Sequence, residues 1–470
     1  MTKTKASHPT RLKSALSPRL SVKERIALGK KIRQEVPIPL LGEYQVAQNR
    51  KDPIQTLLDQ DQSRLQDLVP IRHARMLQSP FAFLRGSAKI MMQDIGSAPT
   101  TGIHVLANGD MHVSNFGIYA TAERNLVFSI NDFDETHPGA WEWDLKRLTT
   151  SAVVCAQFLG GNDQISKTAV QAIVRSYQAQ MSKFAHCSYL DLWYNTIKVE
   201  DVLKTLSPVA KKSMKAIIAA AQKRSQLDLF EKMSHTVNHR LQIKSKGPLQ
   251  IQEDQLENHH QTLALLDGIF QTYKESLSSD RQNLVERYQI LDLARKVVGV
   301  GSVGTRCWVI LLKGSNESDP LFLQVKEADE SVMAPFASQT LPYSNQGHRV
   351  VSGQRTVQGA PDIFLGWGQY NGIDFYIRQL SDLKGGMEFI PGTTKLSNFV
   401  EYCQTCGWAL ALAHAKSGDA ATLHGYIGTG PSLEKAFSAF AFAYAQQNDQ
   451  DFKAMQNAAQ SGRIAVSPIF

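Results

Sequence analysis

Two short runs concentrate hard oxygen ligands in this sequence: GDMHVSN at 109–115 and NDFDE at 131–135. Asp110 and Asn115 stand five apart, so a carboxylate and an amide can face the same side of a tight loop. The carboxylate can orient a hydroxyl nucleophile while the amide oxygen reaches a metal. Asp132 and Asp134 follow in the second run. Magnesium takes few protein ligands, prefers hard oxygens, and often binds one or two carboxylates together with the phosphates it accompanies. This combination suits phosphoryl transfer, where catalysis is mostly positioning and charge neutralisation. Each run alone is also an ordinary turn sequence, because Asp and Asn favour turns. His112 reads as a hydrogen-bonding residue that steadies the loop. A metal-dependent phosphoesterase needs several His and Asp ligands around two metals. No upstream DxH and no downstream GNH accompanies GDMH, which argues against that class.

The elements that must position these residues follow from periodicity. Residues 103–107 and 126–131 read as strands flanking the first run, as a strand–loop–strand hairpin that brings the polar groups to one cleft. Residues 55–93 read as helices broken at Pro80, and helix is expected from Trp143 to about Ala185 and across most of 196–290, with a polar loop at 244–261. From 297 to 380 the texture is β-rich, and after Gly392 it returns to helix. Within the β-rich part, KVVGVGSVGTRCWVILL holds Gly299, Gly301 and Gly304 as GxGxxG between two strand-like runs. A dinucleotide-binding turn would open into a helix, so a phosphate-covering hairpin fits better. Lys326 sits in the strand LFLQVKEA. Read singly, the glycines could serve a simple hairpin, Lys326 could be solvated, and Arg85 in FLRGSA could pair with a phosphate or with a structural carboxylate, the second being expected. His414 reads as a packed helix histidine.

GDMHVSN resembles the GDxHxxN catalytic loop of aminoglycoside-kinase-like enzymes and, more distantly, the protein-kinase loop with its Asp and Asn five apart. FSINDFDE resembles the magnesium-binding segment that follows. The resemblance implies that Asp110 is the catalytic base, that Asn115 and Asp132 are metal ligands with Asp134 a second candidate, and that Asp144 in WEWDLKRL supports the loop from beneath. It makes Gly299, Gly301 and Gly304 the phosphate cover and Lys326 the phosphate anchor. FYIRQLSD resembles the hinge strand that receives adenine, and GWALALAHAKSGD the helix that ordinarily leads into the catalytic loop. These parts stand in rotated order, with the catalytic loop and metal segment first, which describes a circular permutation. The whole set, including SPFAFLRGSAKIM, resembles the bacterial domain of unknown function 2252 from about Gln34 to Gly428.

The resemblance implies an α+β, bilobal, protein-kinase-like fold in circularly permuted order, with a β-rich lobe and a larger helical lobe. Its expected parts are a basic flexible tail over 1–35, a helical lobe over 36–290, a nucleotide-binding lobe over 291–385, and helices over 386–470 that complete the helical lobe. The implied cofactors are ATP and Mg2+, and the partner is an unidentified phosphoryl acceptor, small molecule or protein. Two departures are visible. Asn108 replaces the usual His before GD, and no Glu lies between Ser331 and Met387 to pair with Lys326, leaving Glu327 or Glu330 as substitutes. The alternatives are a pseudokinase-type nucleotide-binding or interaction module and a nucleotidyl (AMP) transferase on the same fold.

Composition sets the outer bounds. The 470 residues are 43% hydrophobic and 20% charged, values of an ordinary globular protein. The net charge of +8 is carried by residues 1–35, with ten Lys or Arg against Glu24 and Glu35, so the remainder is neutral. A basic tail on a neutral body does not describe a dedicated nucleic-acid-binding domain. No run approaches the roughly 18 apolar residues of a membrane span, and the start lacks the apolar core of a secretory signal. Five cysteines, an odd number, favour free thiols and a cytoplasmic location. The CxxC at Cys403 and Cys406 lies in a helical pattern and reads as two half-buried packing residues.

Overall fold

Long apolar stripes at helical spacing bury most of this chain as helix, and shorter β-branched runs form several sheets. The result is an α+β structure, 53% helical and 16% strand. The computed structural model describes residues 20–468 except 238–239, 248, 253–254, 256–258, 317, 338–341 and 381–382; the side chains of 259–261 are likewise outside the described set. Residues 1–19 of the expected basic tail lie outside it too, as do Ser381 and Asp382 of the hinge-like FYIRQLSD. Val22–Glu35, inside the stretch expected to be tail, is instead a helix with a capping box at Ser21 and Glu24. Its Gly29 meets the backbone of Thr422, Gly425 and Tyr426, so this segment is packed.

The strands are β1 (His104–Ala107), β2 (Phe116–Ala120), β3 (Leu126–Ile130), β4 (His137–Ala140), β5 (Ile197–Lys198), β6 (Ser234–Val237), β7 (Arg240–Ile243), β8 (Gln250–Gln252), β9 (Gln289–Lys296), β10 (Cys307–Lys313), β11 (Pro320–Glu327), β12 (Gly366–Tyr370) and β13 (Ile373–Gln379). The largest sheet has six strands in the order β12–β13–β11–β10–β9–β8. Its β10, β11 and β13 run antiparallel, with Lys326 opposite Cys307 on one side and Tyr376 on the other. The apolar run of β11 is buried along its whole length. One sheet face packs Leu266, Ile269 and Tyr273 against Leu293, Ile310, Leu323 and Phe375. Each such side chain contributes roughly 1.5–3 kcal/mol of burial. The helix Gln346–Gln358 connects β11 to β12 and packs on β12 and β13.

The second core is helical. The helices Trp141–Phe158, Asp163–Phe184, Leu396–Ser417 and Ser432–Gln460 share one apolar cluster that includes Trp141, Leu148, Ile173, Tyr177, Leu410 and Phe437. A Cβ at Gly407 would lie 2.3 Å from the Ile173 carbonyl oxygen, so only glycine permits the close approach of those two helices. Cys403 and Cys406 are completely buried in this core rather than half-buried, and all five thiols are free. Among the described residues no helix is long and apolar enough to cross a membrane.

The local pairing differs from the expected hairpin. β1 pairs with β4, while β2 pairs with β3. The run Phe116–Ala120, expected as loop, is five buried residues that close a tight hairpin on Leu126–Ile130. The region 196–290 also carries more strand than expected. Its polar stretch QIQ becomes β8, an edge strand on β9, and the helix His259–Ser276 packs on the sheet rather than on the helical core.

Candidate active site

The loop at 108–115 is shaped from below by one helix. In Trp141–Phe158, Asp144 and Arg147 stand three apart and therefore share a face. Asp144 is fully buried; its carboxylate accepts the backbone N–H of Asn108 at 2.7 Å and of Gly109 at 2.8 Å. His414 Nε2 lies 3.1 Å from the same carboxylate, and its Nδ1 lies 2.8 Å from the Tyr177 hydroxyl. His414 is thus a packed helix histidine that also braces the loop's support. Arg147 donates to Asp110 Oδ1 from Nε at 2.8 Å and from Nη2 at 2.5 Å, and Nη2 also donates to the Leu84 carbonyl. This fork fixes one oxygen of Asp110. His112 Nε2 is 3.7 Å from the other oxygen. Burial pushes the His112 imidazole down to about 3, so the ring is neutral at physiological pH.

Asn115 and the second acidic run lie beside this loop. The Asn115 amide nitrogen donates to the Asp110 carbonyl at 2.7 Å, and its backbone carbonyl accepts from Asn131 at 2.9 Å. Asn108, the residue in place of the expected His, donates to the Asp132 carbonyl at 2.7 Å. The Asp132 carboxylate faces the same pocket, and burial followed by the neighbouring Asp134 charge raises its pKa. Asp134 is the engaged member of the pair. Lys326 forms an ion pair with its Oδ2, and the Tyr376 hydroxyl donates to its Oδ1 at 2.7 Å. Burial pushes Asp134 upward, but the Lys326 ammonium and these hydrogen bonds outweigh burial and leave it below the usual carboxylate range. Lys326 itself is buried, and the two aspartates raise its pKa against the opposing effect of burial.

The partner of Lys326 is therefore Asp134, and not Glu327 or Glu330. Glu327 is taken by Arg306, accepting from its backbone N–H and its guanidinium, both at 2.8 Å. The helix Gln346–Gln358 offers Arg349 where a glutamate was sought. Arg349 donates to the carbonyls of Thr136 at 2.6 Å, Asp134 at 2.8 Å and Asp329 at 2.7 Å, tying this helix to the backbone of the acidic segment.

The glycine run closes over the carboxylates. Gly299 and Gly304 have φ of +66° and +94°, a left-handed backbone that suits glycine. The segment lies on residues from the first helices: Leu65 donates to the Gly304 carbonyl at 2.8 Å, Arg64 to Val303 and Arg75 to Gly299, both at 2.5 Å. Ser302 Oγ is 3.4 Å from Asp134. One pocket of about 120 Å³ is lined by Asp110, His112, Asn115, Asp132 and Asp134 from the two early runs and by Gly299 and Gly301 from the late one. Gly304 adjoins it through Arg64, and Asp144 lies beneath.

Glu135, Arg64, Arg147 and Arg349 are the residues that sequence reading did not single out. Burial pushes Glu135 up to about 7. The i, i+3 spacing of Asp144 and Arg147 was the available signal for Arg147; a lone charge in an amphipathic helix gave none for Arg349. Arg85, expected to meet a structural carboxylate, makes no hydrogen bond or ion pair among the described residues and lines the pocket.

What the pocket can hold follows from its charges. Among the described residues no group of three or more His, Cys, Asp or Glu forms a metal cage. Asp132 with the Asn115 amide oxygen offers the sparse, hard-oxygen set that magnesium takes when phosphates supply the rest. No curated protein and no solved structure matches the chain significantly. One family profile matches residues 64–458, so the chain belongs to the family described as uncharacterized protein conserved in bacteria (DUF2252).

Proposed function

We propose that the chain is a kinase-like phosphotransferase on a bilobal, circularly permuted fold, using ATP and Mg2+ to phosphorylate an acceptor hydroxyl. The observation that carries this reading is convergence. The loop with Asp110 and Asn115, the segment with Asp132 and Asp134, and the glycine run line one pocket although far apart in sequence, and Lys326 joins them through its ion pair with Asp134. In that reading Asn115 and Asp132 hold the metal, Lys326 anchors phosphates beneath Gly299–Gly304, and Asp110 orients the acceptor. Bound Mg2+ would neutralise phosphate charge, and Lys326 would add to it. The glycine run lies between β9 and β10 and the lysine on β11, the order of a kinase nucleotide lobe. The permutation is supported at its junction. Ser417, at the end of Leu396–Ser417, accepts the backbone N–H of Leu106 in β1 at 3.1 Å, so the helix that ordinarily precedes the catalytic loop ends beside its first strand. Free thiols and nucleotide use suit a cytoplasmic setting.

The pseudokinase reading has one observation in its favour. Lys326 is held by Asp134, and the pocket of about 120 Å³ is below the roughly 300–1,000 Å³ of ligand sites. Thermal-shift titration with ATP and Mg2+, on wild type, Asp132→Ala and Lys326→Ala, tests both readings. Binding to the native state raises apparent stability by mass action. The phosphotransferase reading expects a Mg2+-dependent shift with ATP in wild type that both variants weaken. No nucleotide-dependent shift in any combination refutes it. A shift that persists without Mg2+, with no turnover across acceptor panels, favours the pseudokinase. Product mass separates phosphoryl from nucleotidyl (AMP) transfer.

A further inference from the structure

We propose that Arg85 forms an anion-binding subsite for a phosphate-type oxyanion at the Asp110 end of the pocket. The proposal rests on the phosphotransferase reading for the identity of the anion, but not for the existence of the subsite.

Arg85 is mostly buried at the end of the helix Pro80–Gly86, and its Nε has no hydrogen-bond partner. The nearby backbone acceptors are already used. Leu84 gives its carbonyl to Arg147 at 2.8 Å, and Gly86 gives its carbonyl to Arg72 at 3.0 Å. The Phe81 ring lies 6.0 Å from the guanidinium carbon, and the Asp110 carboxylate acts on the guanidinium through space without a hydrogen bond or ion pair among the described residues. Arg64, also on the pocket wall, is more engaged: one nitrogen donates to Val303, and its Nε forms a 3.8 Å ion pair with Asp61. Asp61 is already bonded to Arg72 at 2.9 Å and His73 at 2.8 Å. One carboxylate thus serves three basic side chains.

The pocket is therefore polarised. Asp132 and Asp134 lie toward Lys326, while Arg85, whose Nε has no hydrogen-bond partner, lines the pocket within electrostatic reach of Asp110. A buried donor without a partner is costly to keep. Guanidinium is the side chain whose planar fork matches phosphate oxygens in pairs. The occupant is either the terminal phosphate of a nucleotide or an anionic group on the acceptor.

The test uses the full chain as wild type, Arg85→Met and Arg85→Lys, with inorganic phosphate, ADP with Mg2+ and ATP with Mg2+ as separate probes, read by thermal shift and calorimetry. Arg85→Lys keeps the charge and stem but loses the fork, so it answers the question if Arg85→Met does not fold. The subsite expects inorganic phosphate to bind wild type and to bind the variants roughly ten- to a hundredfold more weakly. If the occupant is the terminal phosphate, ATP weakens in the variants and ADP does not. If it is an acceptor group, both nucleotides are unchanged while phosphate binding in the presence of ADP is lost. Phosphate bound equally by wild type and variants, or by none, overturns the subsite. Phosphate binding that depends on Arg85 without any nucleotide binding supports the subsite and refutes the phosphotransferase reading.

Discussion

Lys326→Met removes the cation that forms an ion pair with Asp134 beside Asp132. In the native protein the Lys326 side chain is 3% exposed and that of Asp134 26%, so their ion pair is largely but not wholly screened from water. Breaking a buried pair from one side costs roughly 3–5 kcal/mol. Discounting for the water at Asp134 gives about 2–4 kcal/mol. If the 470 residues unfold as one unit, this lowers Tm by only about 2–4 °C. The pH dependence has a definite sign. In the wild type Asp134 lies below its unfolded value, so its stabilisation is present above that value and is lost as pH falls through the depressed native one. In Lys326→Met the two buried carboxylates keep Arg378 and the Tyr376 hydroxyl but lose the ammonium, so their native pKa values should rise. The variant's deficit is then full at neutral pH and shrinks as pH falls through them. Millimolar Mg2+ should restore the variant more than it raises wild type, because a cation binds the folded pair and not the unfolded chain. Calorimetric melts between pH 5 and 8, with and without Mg2+, measure all three effects. A variant that melts with wild type at neutral pH and ignores Mg2+ refutes the view of Asp132 and Asp134 as a cation site.

Asp144→Asn leaves an amide nitrogen facing a backbone N–H at the Asn108–Gly109 turn, and urea unfolding should show a loss of about 2–3 kcal/mol. An unchanged midpoint would remove Asp144 from its supporting role. Gly304→Ala forces a left-handed φ of +94° on a residue with a Cβ that meets Arg64 at 3.0 Å. It should cost roughly 1–3 kcal/mol in the same assay. Arg147→Met releases the fixed oxygen of Asp110 and, if the chain transfers phosphate, should lower kcat by about a hundredfold or more with little change in KM for ATP. A change confined to KM would contradict the positioning role. Cys187 is the exposed thiol and the other four are buried, so a thiol reagent should titrate one group rapidly in the native protein and five after denaturation.

The sequence showed the pocket's parts more clearly than the surrounding architecture. Asp110, Asn115, Asp132, Lys326 and the glycines were visible because each sits in a short run with a chemical logic of its own. Asp144 was legible from its place one helix later. Pairing was harder to read. Nothing in His104–Ala107 announces that its partner is His137–Ala140 rather than the nearer Leu126–Ile130, because register depends on packing across the chain. The Lys326–Asp134 ion pair joins residues 192 apart, and Arg349 reaches the acidic segment through backbone carbonyls, which leave no mark in side-chain patterns. The polar QIQ of β8 joined a sheet at its edge, where hydrophobic alternation is weakest.

The brace beneath the Asn108–Asn115 loop has a temporal consequence. Asp144 and His414 are 270 residues apart, so a ribosome adding roughly 5–20 residues per second makes the carboxylate about 15–50 s before the imidazole that completes its surroundings. Lys326 also emerges long after the aspartates it neutralises. During synthesis Asp132 and Asp134 therefore stand without their lysine until Lys326 is made, and the pocket can close only once the chain through Val332 has been added. No shorter fragment on the path to the native state holds the complete pocket.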